Sequence, residues 1–330
     1  METYFYNNFK CTGDKCPITC CMEWKISVDD DTFEKWNHTA DFISYVTTKD
    51  DDRVIALNKE HKCPYLCDTG LCRLVTEYGE KMLSHTCDIF PRQVNEYEDA
   101  IEKSVVICCP HVIDMLKDKK FIMPPAVDNS MTNLRTSVIN IIQNEKYSLE
   151  KALLIGFYIL LDANDGNITT NQAIEQLDKI IDSTDFNEKD TLYENRELFE
   201  DLTINYKKEG MYEPFFASLG EKHNNLAKEY EPLLRNVLAS ELYSNLYLPE
   251  YGIEDIIVSY EWIVMEYVMM RHAINTLKSQ VTYEKIRECI VITARIMGYG
   301  IDDIYEYMEE AFESVIWNWG YMSLLVGEKN

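Results

Sequence analysis

The sequence predicts a mainly α protein: an irregular, cysteine-rich, metal-binding N-terminal region with a few short strands, followed by an all-helical region. Three observations predict it. Ten of the eleven cysteines precede residue 110. Residues 118–130, DKKFIMPPAVDNS, combine a basic pair, two prolines and polar residues that stop a helix. From Thr132 onward apolar residues recur at helical spacing. The expected organisation is therefore 1–117 cysteine-rich, 118–130 linker and 131–330 helical domain.

In the first part, 25–28 and 104–107 read as the best strands. In the second, Leu134, Val138, Ile141 and Ile142 share one helical face. A helix over 147–161 follows, with Ser148 as N-cap and Glu150 in its first turn, where an acid suits the helix dipole. After a turn at 162–170, Thr170 opens a helix through Ile181. Residues 224–248 form a long helix that stops at Pro249. The most apolar segment is 253–277, followed by helices over 283–297 and 301–321. No period of 20–50 residues recurs, so the chain is not a solenoid.

At 330 residues the chain can bury a sizeable core. Its net charge of −25, with acids exceeding bases in both halves, disfavours nucleic acid and anionic membrane surfaces as partners. A cationic, lysine-bearing partner is attracted instead. No apolar run approaches the ~20 residues that cross a bilayer. The N-terminus METYFYNNFK lacks the layout of a signal peptide, which places the chain in the cytoplasm by default.

That compartment disfavours a disulfide framework for the ten clustered cysteines. Independent buried thiols would not cluster in this way. Metal ligation suits a reducing compartment, and thiolates suit both zinc and iron–sulfur centres. Cys11-x4-Cys16 and Cys16-x3-Cys20 lie at the loose edge of zinc pairs, and Cys63, Cys72 and Cys87 make no knuckle pairs. Spacing leaves zinc and iron open, and the number of metals with them. The C-x3-C-x2-C pattern of radical S-adenosylmethionine enzymes begins at Cys16 but meets Glu23, and begins at Cys63 but meets Cys72 two residues late. No βα repeat follows, so that class is set aside. Cys289 reads as a small buried apolar residue.

Along residues 9–113 run FKCTGDKCPITCCMEWKISVDDDTF, CPYLCDTGLCRL, YGEKMLSHTCDIFPR and SVVICCPHVI, in that order. This resembles the flagellin lysine-N-methylase family, with its F-x-C-x4-C-x3-C-C-x2-W-x-I opening, C-P-x-L, L-S-x-T-C-x3-P-R and C-P motifs. It also resembles a wider group of Cys-cluster proteins described as zinc- or iron-chelating. The likeness is strong over about a third of the chain and continues weakly through 241–271. Carried over residue by residue, the family cysteines fall on Cys11, Cys16, Cys20, Cys21, Cys63, Cys72, Cys87 and Cys109. Cys67 and Cys108 are extras. The resemblance implies methyl transfer from S-adenosylmethionine to flagellin lysines, with a 4Fe–4S cluster as the metal cofactor. Eight cysteines suffice for two four-thiolate sites, or for one site with the others packed around it. Adjacent Cys20 and Cys21 either serve two sites or divide between ligation and packing. Arg92, in the run after Cys87, is the candidate for a cofactor carboxylate, with a structural ion pair as its other reading. His85 and His111 flank Cys87 and Cys109 as possible ligands, and Trp24 reads as core or as a hydrophobic shield.

Residues 290–303, IVITARIMGYGIDD, loosely resemble a methyltransferase nucleotide loop, but the third glycine and the βαβ frame are missing. Gly298 as a helix stop explains the run better. Tyr260, Trp262, Tyr267 and Arg271, with Tyr305, Tyr307, Trp317, Trp319 and Tyr321, read as core or as the wall of a lysine channel. The sequence names no catalytic base. A non-enzymatic zinc- or iron-binding interaction module is the alternative reading.

Overall fold

A computed structural model describes residues 1–330 apart from 24–25, 50, 99, 126–128, 168–170, 184–186, 247–250, 279–280, 299–300, 313–318 and 328–330. The expectations for Trp24, Thr170, Pro249, Gly300 and Trp317 lie outside the described residues. The N-terminal part carries helices α1 (Tyr4–Asn8), α2 (Asp30–Asn37), α3 (Ala40–Ile43), α4 (Arg73–Tyr78), α5 (His85–Ile89) and α6 (Pro110–Asp118). Its strands are β1 (Val46–Lys49), β2 (Asp52–Ile55), β3 (Arg92–Glu96) and β4 (Ile101–Val105). They form two separate antiparallel pairs, β1–β2 with Val46 opposite Ile55 and β3–β4 with Arg92 opposite Val105. Then come α7 (Ser130–Ile142), α8 (Leu149–Asn164), α9 (Asn171–Ser183), α10 (Glu188–Lys208), α11 (Glu213–Ser218), α12 (Glu231–Asn245), α13 (Ile253–Asn275), α14 (Tyr283–Met297), α15 (Ile301–Phe312) and α16 (Trp319–Val326).

The mainly α class holds, as does the irregular character of the cysteine-rich part. Of the expected strands, 104–107 overlaps the end of β4. The other does not form: among the described residues of 25–28, Ser27 makes a single bridge to Val54. β1, β2 and β3 were not anticipated: VTTK and RQVNE lack the apolar alternation that marks a half-buried strand, and DRVI carries its two buried residues side by side.

Two cores organise the chain. The smaller gathers Ile26, Val28, Trp36, Phe42, Ile55, Cys63, Tyr65 and Leu74, with Cys21, Cys72 and Cys87 packed against it. Trp36, Phe42 and Tyr65 meet edge to face at centroid separations of 5.5–6.3 Å, a geometry aromatic quadrupoles favour. The larger core runs through Phe5, Phe9, Val105–Val112 and Leu116, then through α7, α8 and α12–α14. Phe121, within the expected linker, is buried in it, and Asn236 and Gln143 satisfy its backbone N–H and carbonyl.

α13 is the axis of the helical part. From Ile256 to Met270 every residue is buried, so the helix shows no polar face and packs on several neighbours at once. Ser148 caps α8 by accepting from the Lys151 N–H at 3.1 Å, and Gly298 ends α14 with φ of 67°, as expected. α13 and α12 also bury three carboxyls: Glu241, Glu261 and Glu266. One oxygen of each has no hydrogen-bond partner among the described residues.

Burial pushes the Glu261 carboxyl up to about 9 and that of Glu266 well above the ordinary carboxylate range, with the nearby Glu241 charge adding to the latter. A group whose folded pKa is raised contributes stability that is complete below its unfolded pKa and disappears as pH climbs through the folded one. The fold is therefore expected to weaken between pH 5 and 9, by about 1.4 kcal/mol per pH unit for each proton held. Urea midpoints of Glu261→Gln and Glu266→Gln across that range should show a shallower decline than those of the parent chain.

Candidate metal centre

The loops of the N-terminal part bring the predicted cysteines together by main-chain pairing. The Cys63 N–H donates to the Cys21 carbonyl and the Glu23 N–H to the His61 carbonyl, both at 2.9 Å, so 21–23 runs alongside 61–63. A tight turn at Gly70 (φ 80°) folds Cys72 back, with Cys67 N–H on Leu71 O at 2.9 Å and Arg73 N–H on Tyr65 O at 2.7 Å. Cys72 is the N-cap residue of α4. Cys87 lies in the first turn of α5, whose N-cap Ser84 accepts from the Cys87 N–H at 3.3 Å. This contact accounts for the S-x-T-C spacing: the serine closes the turn that presents the cysteine.

The result is a set of four thiols. Cys63 feels the charge of Cys21, Cys72 and Cys87; Cys72 that of Cys21; and Cys87 that of Cys21 and Cys72. All six pairs thus feel one another's charge at the edge of the smaller core, and Cys72 feels that of Cys67 as well. Burial pushes the Cys63 thiol up to about 12 and that of Cys87 to about 11. Against that, the Tyr65 N–H points at the Cys63 sulfur, and the Val75 and Leu74 N–H groups at that of Cys72. Dry surroundings penalise a lone thiolate, while aimed N–H donors favour a negative sulfur. A bound cation resolves that conflict.

The other four predicted cysteines form a looser chain. Cys16 feels the charge of Cys11, Cys109 that of Cys16, and Cys20 that of Cys109. Cys109 is the N-cap residue of α6, and the His111 and Val112 N–H groups point at its sulfur. The Cys16 thiol donates to the Ile18 carbonyl at 3.2 Å, and Cys11 accepts from the Gly13 N–H at 3.4 Å. Adjacent Cys20 and Cys21 join the two sets: Cys20 feels the charge of Cys21 and Cys87 as well as that of Cys109. A hydrogen bond between them pushes the Cys20 thiol up and pulls that of Cys21 down.

Among the described residues no three His, Cys, Asp or Glu side chains converge as ligands of a single ion. A four-iron cluster spreads its thiolates over four irons, so its donors stand farther apart than those of one tetrahedral ion. Cys21, Cys63, Cys72 and Cys87 match such a cluster in number and donor type, and N–H groups point at the sulfurs of Cys63 and Cys72.

Cys67 is half-buried on the Gly70 turn, whereas Cys108 and Cys289 are buried in the larger core. Arg92 donates from Nε to the Tyr6 carbonyl at 3.2 Å and from Nη2 to that of Phe9 at 2.9 Å, pinning α1 beneath β3. His111 lies beside Phe9, and the His85 backbone N–H donates to Asp29.

The residue that sequence reasoning missed is Arg295, near the end of α14. Its guanidinium donates to the carbonyls of Ile18, Thr19 and Cys108 at 3.0–3.2 Å. It is buried and lends its charge to Cys16, Cys21 and Cys109. Its place in the run ITARIMGYG was the available signal: a lone arginine amid an apolar stretch needs buried partners.

The anticipated aromatics have separate roles. Tyr260 is buried and donates to Leu153 O at 2.7 Å over Gly156, where a Cβ would lie 2.4 Å from its hydroxyl oxygen. Tyr305 donates to Asp255, and Tyr307 to Asp201 at 2.8 Å. Tyr267 and Arg271 meet Glu150 at 2.7 and 3.1 Å beside a cavity of about 330 Å³. Burial works against the Glu150 charge, but Arg271 and the Tyr267 hydroxyl hold it below the usual carboxylate range.

Residues 135–325 match the family model of the FliB lysine N-methylase C-terminal domain. A stretch of 124 residues, 34% of this chain, is 34% identical to the flagellar biosynthetic protein FliU of Salmonella muenchen and covers 72% of it. The same figures of length and identity hold for the lysine-N-methylases of Salmonella choleraesuis (strain SC-B67) and Salmonella typhimurium (strain LT2), of which 30% is covered. No solved structure matches. Since the matched segment takes in more than half of the chain and carries both α13 and Arg295, the chain belongs to the FliB lysine N-methylase family.

Proposed function

We propose that the protein transfers methyl groups from S-adenosylmethionine to lysine side chains of a flagellin-like protein, and that Cys21, Cys63, Cys72 and Cys87 hold an iron–sulfur cluster. The observation that carries this reading is Arg295. It belongs to the segment matched to the lysine N-methylase domain, and it is buried against the loops that carry the cysteines.

A lysine attacks only as the neutral amine. Its lone pair forms the new N–CH₃ bond as the C–S bond of the sulfonium breaks, and sulfur leaves as a thioether. The extra proton on nitrogen passes to a base or to water. When bound, the cluster would supply a cationic core that neutralises the four thiolates and fixes their loops. The protein contributes net charge that draws a basic partner. The cavity beside Glu150, Tyr267 and Arg271 is within the usual size range for a small ligand and presents both signs of charge.

The test is oxygen-free incubation of the iron-loaded protein with flagellin, with and without S-adenosylmethionine. Mass spectrometry should find lysines heavier by one or more methyl groups only where the donor is present. Unmodified lysines in every arm would overturn the reading.

A further inference from the structure

Among the described residues, four that are not glycine adopt left-handed backbone: Glu23 (φ 73°), Asp51, His61 (φ 56°) and Tyr212 (φ 54°). Three of them, Glu23, His61 and Tyr212, meet at one place. The Glu23 N–H donates to the His61 carbonyl at 2.9 Å, and the Tyr212 hydroxyl donates to the Glu23 carboxylate. Such backbone is costly and persists where the surroundings impose it.

Around this point lies a consistent set of groups. The Tyr206 and Tyr212 rings are nearly parallel, with an interplanar angle of 22° and centroids 6.3 Å apart. Glu23 and Glu209 both press their charge on the Tyr206 hydroxyl, and Glu209 stands 3.9 Å from His61 Nε2. Behind them Arg295 Nη1 lies 3.5 Å from the Tyr212 oxygen, its other donors committed to main-chain carbonyls. Glu23, His61, Tyr206 and Tyr212 are each half-buried and so reachable from solvent. Two carboxylates against one buried guanidinium leave this face short of positive charge. Glu23 lies two residues beyond Cys21, at the edge of the four-thiol set.

Aromatic faces beside carboxylates are what an alkylammonium binds. We infer that Tyr206, Tyr212 and Glu23 form the seat of the acceptor: the side-chain cation of a lysine, or of a lysine already methylated, is held there beside the cysteines. The inference rests on the methylase reading for the identity of that cation. It assigns the seat from geometry and from the sign of the local charge.

Binding is measured on the whole iron-loaded protein by titration calorimetry, with Nα-acetyl-trimethyllysine amide as probe and the norleucine amide as its uncharged counterpart. The parent chain should bind the trimethyllysine probe and not the norleucine one. Tyr206→Leu and Glu23→Gln should each weaken binding about tenfold, whereas Tyr206→Phe, which keeps the ring face, should bind like the parent. Iron content and unfolding midpoint, measured alongside, establish that each variant is folded; if Glu23→Gln is not, the Tyr206 pair decides alone. Equal binding to the parent and to folded Tyr206→Leu, or equal binding of the norleucine amide, overturns the seat. The same variants should raise KM for a lysine peptide and leave KM for S-adenosylmethionine unchanged. Probe binding without any methyl transfer by the parent chain would sink the methylase reading and keep the cation seat. Transfer with unchanged KM in folded Tyr206→Leu would do the reverse.

Discussion

Replacing Arg135 by methionine is expected to cost about 3–5 kcal/mol of stability, the usual result of breaking a buried ion pair from one side. Arg135 on α7 meets Glu102 on β4 through two parallel hydrogen bonds of 2.7 and 2.8 Å, and donates to the Tyr243 carbonyl at 3.1 Å. Glu102 is 3% exposed and Arg135 is 1% exposed. Removing the guanidinium strands a carboxylate in the wall between the cysteine-rich and helical parts. The double variant Arg135→Met with Glu102→Leu should recover most of the loss, because the desolvation cost disappears with the charge. Chemical denaturation of the parent, both single variants and the double variant measures this. A single variant as stable as the parent would mean that water reaches the pair.

Cysteine substitutions should have the largest effect on activity, and they should sort by set. Cys63→Ala and Cys87→Ala each remove one corner of the four-thiol group. Both are expected to abolish iron retention and to lower methyl transfer by more than about 100-fold, beyond the loss typical of disturbing a ligand's support. Cys67→Ser and Cys11→Ser should keep iron: Cys67, on the Gly70 turn, adds its charge to Cys72 without being one of the four, and Cys11 is at the exposed end of the looser chain. Iron analysis and visible absorbance of oxygen-free preparations provide the readout without reference to activity. Full iron in Cys63→Ala would remove this set from consideration as the cluster's home.

Much of this arrangement could be read from the residues in order. Ser148 caps α8, Gly298 ends α14, and the apolar run of α13 is buried all round, because capping, left-handed glycine and hydrophobicity act over a few residues. β1 and β3 escaped notice because their outward residues are polar and their partners, not their own pattern, make them strands. Arg92 was read as meeting either a cofactor carboxylate or a structural ion-pair partner; its Nε and Nη2 donate to the carbonyls of Tyr6 in α1 and of Phe9 just after it. A guanidinium's fork is the same for a carboxylate as for main-chain oxygens, and local sequence does not say which is near.

By itself the sequence determined the class of the fold, the crowding of sulfur into the first third of the chain, and the motifs that mark the family. All of these are properties of composition and short spacing. The placing of Cys20 between Cys87 and Cys109, the delivery of Arg295 to Ile18 and Thr19, and the meeting of Glu23 with Tyr206 and Tyr212 were decided only by tertiary structure. Each joins groups tens to hundreds of residues apart, and their separation is fixed by how the two cores close on each other, which no local pattern encodes.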